Sequence, residues 1–339
     1  MKITTITISD KRPDFIELQY ESIRKYIQDQ DVEYIVLNNA VNNEGLRKNI
    51  DDACESIHVK CVHVVLESEY RVQKQGGCYS GNSYTNVQAA CSYPLNWFWK
   101  DICKLKGIVV IIDSDMFFIK DINIEKMMNG KDIAFCPQYR AEFKVFYMWN
   151  GIVFLNIDTI PNPKTIDWSF GAIMGDSTDV GGHTYFYLKN NNKEIDILFL
   201  EFWGLLDFEI RSDSIYFYTS LNGNILWDII VNQDWKIISF EKKDISVSDN
   251  KMLPYETERE DYPQYAADQV KGIYKFLIDN KINLPKPVFS DLIKIQDTDI
   301  RESFIFHYKS GSNYQTFYTA EYNIHKTNEL KKIICRGAV

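Results

Sequence analysis

No stretch of about 18 uncharged apolar residues occurs in the 339-residue chain, so no membrane-spanning helix is predicted. The opening residues, MKITTITIS, alternate like a strand and lack the apolar core of a signal peptide. The seven cysteines contain no C-x-x-C pair, which argues against a zinc ribbon or a dithiol redox motif. Reduced thiols and a cytoplasmic setting are therefore expected. The absence of G-x-S-x-G and of a P-loop excludes the usual nucleophile elbow and that class of ATPase. Lysine and arginine form no run, and the net charge is −9 with an isoelectric point near 5.2, so no nucleic-acid partner is expected. Internal repeats and low-complexity tracts are missing too.

What is present is an ordinary globular balance, 45% hydrophobic and 25% charged, which supports a sizeable core. Aromatics are abundant, and besides filling a core they can form platforms against bases and sugar rings. Alternation predicts a strand over residues 2–8, then a helix opened by Pro13 with Ile16, Tyr20, Ile23 and Ile27 at helical spacing. Residues 33–37 and 59–66 read as further strands. A helix over about 83–104 is expected to break at Pro94. The apolar run Gly107–Ile112 has the length of a buried parallel strand. Strands are also predicted over 132–137 and 151–157, a loop over 163–182, a surface excursion over 241–263 and a helix over about 265–280. The segment 183–240 mixes aromatic strands and helices in no readable order. The whole is an α/β pattern with a mostly parallel sheet.

The strongest chemical signal is Asp113-Ser114-Asp115, directly after that buried run. Ligands of open α/β sheets bind at the carboxyl ends of the strands. Two carboxylates this close raise each other's pKa unless a cation neutralises them, and Mn²⁺ or Mg²⁺ suits such oxygen donors. In an acidic protein, such an ion would also supply the positive charge that an anionic diphosphate needs.

With this D-x-D the chain resembles the glycosyltransferases of the GT-A fold, over most of residues 1–160 and a short C-terminal piece. The resemblance implies a Rossmann-like, mostly parallel central sheet flanked by helices, with an aromatic-rich C-terminal extension. It implies one catalytic domain over 1–339, with 1–120 as the nucleotide-sugar half and 121–339 as the acceptor half. Asp113 and Ser114 would then lie near the nucleotide, and Asp113 and Asp115 would hold the metal. Trp149-Asn150-Gly151 resembles the strand entry of glycogenin-like members on the acceptor side, where Gly151 would admit a close ligand. Acids just before a Gly-Gly step make Asp179 the candidate catalytic base, with Asp207 behind it. His307 resembles the family's C-terminal metal ligand, and Lys309 and Gly311 its diphosphate loop. Gly311 follows His307 by four positions where the family has three. Thr7, Ser9 and Asn38 occupy the strand ends expected to face the donor nucleotide. Arg71, Gln75, Asn82 and Asn86 stand where they would reach phosphate or sugar. His58, His63 and His325 show no partner spacing.

The expected reaction moves a sugar from a nucleoside-diphosphate sugar, with UDP favoured by the resemblance, to a hydroxyl of a carbohydrate acceptor. A haloacid dehalogenase-type phosphatase shares the D-x-D after an apolar strand, but its motif lies near the N-terminus and carries Thr or Val where Phe117 stands here. A nucleotidyltransferase would open with a glycine-rich loop, which Ser9–Pro13 is not. A non-catalytic carbohydrate-binding protein remains as the third reading.

Overall fold

The computed structural model describes residues 1–65, 87–140, 145–211, 214–221, 225–232, 236–244, 291–295, 304–308 and 320–335. The chain separates into two compact units, Met1–Glu201 and Phe202–Val339.

The first unit is built on a seven-stranded sheet. Its strands are β1 (Ile3–Ser9), β2 (Val32–Asn38), β3 (Lys60–His63), β4 (Ile108–Ile112), β6 (Ile133–Arg140), β7 (Val145–Asn156) and the start of β10 (Ile197–Arg211), in the order β3-β2-β1-β4-β7-β6-β10. A short strand β5 (Met116–Phe118) follows β4. Only β7 runs against the rest, since it is antiparallel to both β4 and β6 while every other pairing is parallel. The predicted α/β class with a mostly parallel sheet is therefore what the unit contains.

Strand periodicity divides the core between two faces. Ile6, Ile8, Ile35, Leu37, Val109 and Ile111 point to one face, where they pack with Tyr93, Leu95 and Trp99 of helix α3 (Val87–Trp99). On the other face Tyr34 reaches Gln19 of helix α1 (Pro13–Tyr26), through a hydroxyl that donates to Gln19 Oε1 at 2.7 Å. Helices thus cover both sides, as a buried parallel sheet requires.

Two local expectations need correction. A helix, α2 (Glu44–Ser56), lies between β2 and β3, where the sequence predicted none. Its buried stripe is only Ile50, Ala53 and Cys54, too narrow to stand out among so many charges. Asn43 caps it, accepting from Leu46 N at 3.0 Å. In turn, α3 does not break at Pro94 but runs through it. Elsewhere a four-residue helix α4 (Ile124–Met127) precedes β6, and 163–182 contains a hairpin of β8 (Gly171–Ile173) and β9 (Asp176–Thr178). Helix α5 (Thr184–Asn191) follows.

In the second unit the later part of β10 pairs antiparallel with β11 (Ser214–Leu221), β11 with β12 (Ile225–Asn232), and β12 with β13 (Ile237–Asp244). β14 (Asp291–Ile295) pairs with β15 (Ile305–His307), and helix α6 (Ala320–Cys335) closes the described part. So the unordered mixture of 183–240 resolves into one helix and an antiparallel meander. Most of the predicted surface excursion and all of the 265–280 helix lie outside the described residues.

Candidate functional site

Asp113 to Met116 form a β-turn closed by Met116 N donating to Asp113 O at 3.1 Å. The turn is pinned from three directions. Asp113 N donates to Gly151 O on β7 at 2.8 Å, which ties it to the antiparallel neighbour of β4. Gln19 Nε2, from α1, donates to Asp113 O at 2.8 Å and to Met116 O at 2.7 Å. Behind it Met116, Phe117 and Phe118 are all fully buried, with Phe117 edge-on to Phe15 at 5.3 Å. The acids therefore sit on a rigid mount: Asp115 is only 7% exposed, and Asp113 is half-buried.

Asp179 is tied to β7. Its backbone N donates to Tyr147 Oη at 3.0 Å, and its Oδ1 accepts from Val180 N at 2.8 Å. Tyr147 lies on β7 beyond the point where β4 has ended, at the carboxyl edge of the parallel strands. The Gly-Gly step after Asp179 makes this approach feasible. Gly181 has φ +87°, and a Cβ there would stand 2.1 Å from Met148 O. Gly181→Ala is accordingly expected to destabilise the protein by about 3 kcal/mol, combining left-handed strain with a backbone clash. Urea unfolding measures it.

One thiol on α3 lies within electrostatic reach of these acids. Burial, then the charges of Asp113, Asp10, Asp179 and Asp115, push the Cys91 thiol well above its ordinary pKa. Carboxylates from the ends of β1, β4 and β9 thus act on one point of α3, and Cys91 stays a protonated, inert thiol. Asp10 was not among the residues expected from the sequence. It sits one place beyond Ser9 in a run, Asp-Lys-Arg, whose charges look like those of a solvated turn.

Burial raises the Asp10 carboxyl above its ordinary pKa, against the pull of Lys11 and of its own backbone hydrogen bond. An acid that ionises less readily in the folded state binds more protons there. Stability then falls as pH climbs from the ordinary carboxylate value to the raised one, and stays lower above it. Asp10→Asn is expected to melt higher than wild type at neutral pH without metal, the gap closing below about pH 3.9. Melting curves from acid to neutral pH check the sign.

The other expected site residues divide into three groups. Thr7 and Ser9 are 1% exposed and share the face of β1 that carries Thr5, whose partner in β2 is Tyr34; their side chains turn toward α1 and α2. Asn38 is committed to α2, donating to Arg47 O and to Asp51 Oδ1, both at 2.9 Å. His307 lies half-buried on β15 of the second unit, in register with Asp291, and its role as a metal ligand rests on the sequence resemblance alone. Arg71, Gln75, Asn82, Asn86, Lys309 and Gly311 lie outside the described residues. Trp149-Asn150-Gly151 is not a strand entry but the interior of β7. The Trp149 indole lies 2.4 Å from where a Cβ at Gly151 would be.

No protein-family model matches the chain, and no curated protein matches it by sequence. Among solved structures it is similar to glycosyltransferases. The galactosyltransferase LgtC, solved with donor and acceptor sugar analogs, shares 10% identity over 45% of this chain and 58% of its own, at TM-score 0.28. The mannosyltransferase PcManGT from Pyrobaculum calidifontis, in complex with GDP-Man and Mn²⁺, shares 14% over 58% and 53%, at TM-score 0.34. Mouse xyloside xylosyltransferase 1, in its apo form, shares 10% over 58% and 78%, at TM-score 0.32. The chain spans little more than half the length of the first two. At identities and TM-scores this low, the likeness assigns neither activity nor substrate.

The fold class is α/β, with a mostly parallel central sheet. Helices flank both faces of the sheet, and the D-x-D turn closes its middle strand, β4. Among the described residues, no helix is long and apolar enough to cross a membrane.

Proposed function

We propose that the protein transfers a sugar from a nucleoside-diphosphate sugar, UDP being the first candidate nucleotide, to a hydroxyl of a carbohydrate acceptor. The observation that carries this is the D-x-D turn, which ends β4 at the carboxyl edge of a parallel sheet and is held there by Gln19 and Gly151. Ligands bind at that edge, and a donor set made only of carboxylate oxygens fits a hard divalent ion.

Asp115, with Asp113, would hold Mn²⁺ or Mg²⁺, and the bound ion supplies charge to offset the negative diphosphate leaving group. The chain's own residues do the positioning. Gln19 and Gly151 hold the turn so that its acids need not reorganise when substrate arrives. Asp179 is fixed through its own backbone by Tyr147 and is half-buried. In a reaction that inverts the anomeric carbon, this carboxylate takes the acceptor proton.

The test is release of nucleoside diphosphate from a panel of UDP- and GDP-sugars, with Mn²⁺ or with chelator. Metal-dependent turnover of one donor class is expected. Neither turnover nor thermal stabilisation with any nucleoside diphosphate and metal sinks the reading.

A further inference from the structure

A second cluster of ligating groups lies where β3 packs against α2, at the carboxyl ends of β2 and β3 and two strands along from β1. Asp51 of α2 and Cys61 and His63 of β3 bring one ligand atom each to within 4.8 Å of one another. A single oxygen organises them. Asp51 Oδ1 meets His63 Nε2 at 2.8 Å and accepts from Cys61 Sγ at 3.2 Å. Asn38 Nδ2 donates to the same atom at 2.9 Å, which anchors the carboxylate to the end of β2. Cys61 and His63 are two residues apart on a strand, so both side chains leave the same face.

We infer that Asp51, Cys61 and His63 form a binding site for a zinc ion, with the fourth position open to solvent. One thiolate, one imidazole and one carboxylate make a mixed donor set that zinc accepts, whereas Mn²⁺ and Mg²⁺ prefer oxygen alone. Ligand atoms around a tetrahedral zinc, bonded at about 2.0–2.3 Å, stand roughly 3.3–3.8 Å apart. The present separations of 2.8 and 3.2 Å are those of hydrogen bonds, so a small outward movement of each side chain would admit the ion. Such movement is open to them, because the His63 side chain is 46% and the Asp51 side chain 36% exposed.

Binding exchanges the Cys61 S–H bond for an S–Zn bond and delivers that proton to solvent. His63 binds through Nε2, and Asp51 through the oxygen it now shares with both partners. The ion would fasten β3 to α2. The site stands independently of the transferase reading, and its metal is of a different class from the one proposed for Asp113 and Asp115.

The test uses the full chain carrying Asp115→Asn, so that the D-x-D turn contributes no divalent site. Zinc titration against a chromophoric chelator is expected to give one tight site and release of one proton. Cobalt in place of zinc should give a thiolate-to-metal charge-transfer band. Cys61→Ser should abolish that band, and His63→Gln should weaken zinc binding at least about tenfold, by removing one of three ligands. His63 is exposed enough that its replacement leaves the fold intact, which keeps the test valid should Cys61→Ser fold poorly. Asp52→Asn, one place along α2 and paired with Lys48, should bind zinc as the parent does. No charge-transfer band in the parent, or zinc binding unchanged by His63→Gln, overturns the proposal.

Discussion

An Asp115→Asn protein is expected to keep its fold and lose about a thousandfold in sugar-transfer rate. The substitution preserves shape and removes one negative charge from a nearly buried position, so packing against Met116 and Phe117 is unchanged. What is lost is the affinity for the divalent ion that offsets charge on the departing diphosphate. Such an ion contributes several kcal/mol to the transition state, and about 4 kcal/mol corresponds to three orders of magnitude. The binding readout is separate from the rate. Wild type should melt higher when UDP or GDP and Mn²⁺ are present together, by an amount that grows with ligand concentration. The variant should show no metal-dependent part of that shift. A variant that retained it would mean that the ion is held elsewhere, and the transferase reading would lose its main support. Asp113→Asn provides the comparison, since Asp113 is more exposed and its loss leaves Asp115 in place.

Much of this site is legible in the sequence because buried strands announce themselves. Ile108 to Ile112 has no polar residue, so the pattern of residues alone places its end and the two acids beyond it. The close backbone approach after Asp179 is legible for a related reason: the Gly-Gly step signals it, and Gly181 meets Met148 there. Gln19 and Asp10 are not. A glutamine within an amphipathic helix looks the same whether it faces water or clamps two carbonyls, and only the tertiary contact separates the cases. The Asp51–Cys61–His63 cluster stays hidden for a compound reason. Its two elements have to be paired first, and α2 is too polar to stand out as a helix. Asn38 illustrates the opposite error. A polar side chain at a strand end suggests a ligand contact, but this one donates to a carbonyl inside α2 and to a carboxylate within the protein.

Gln19→Met is expected to cost about 2–4 kcal/mol of stability and to weaken metal binding at the D-x-D turn together with it. The side chain is 1% exposed and uses both of its polar atoms. Its amide nitrogen serves Asp113 O and Met116 O, and its oxygen accepts the Tyr34 hydroxyl at 2.7 Å. Methionine fills the same length but leaves these buried groups short of partners, at about 1–3 kcal/mol each. Asp113 O suffers least, because Met116 N already donates to it. The cost falls instead on Met116 O and on the Tyr34 hydroxyl. Adding Tyr34→Phe removes the second of these, so the double variant should recover part of the stability. It should not recover the metal affinity, because the turn still lacks its clamp and Asp115 is free to shift. A double variant that regained both would make Gln19 a matter of core satisfaction only. Stability regained without metal affinity would show that α1 sets the position of the acids.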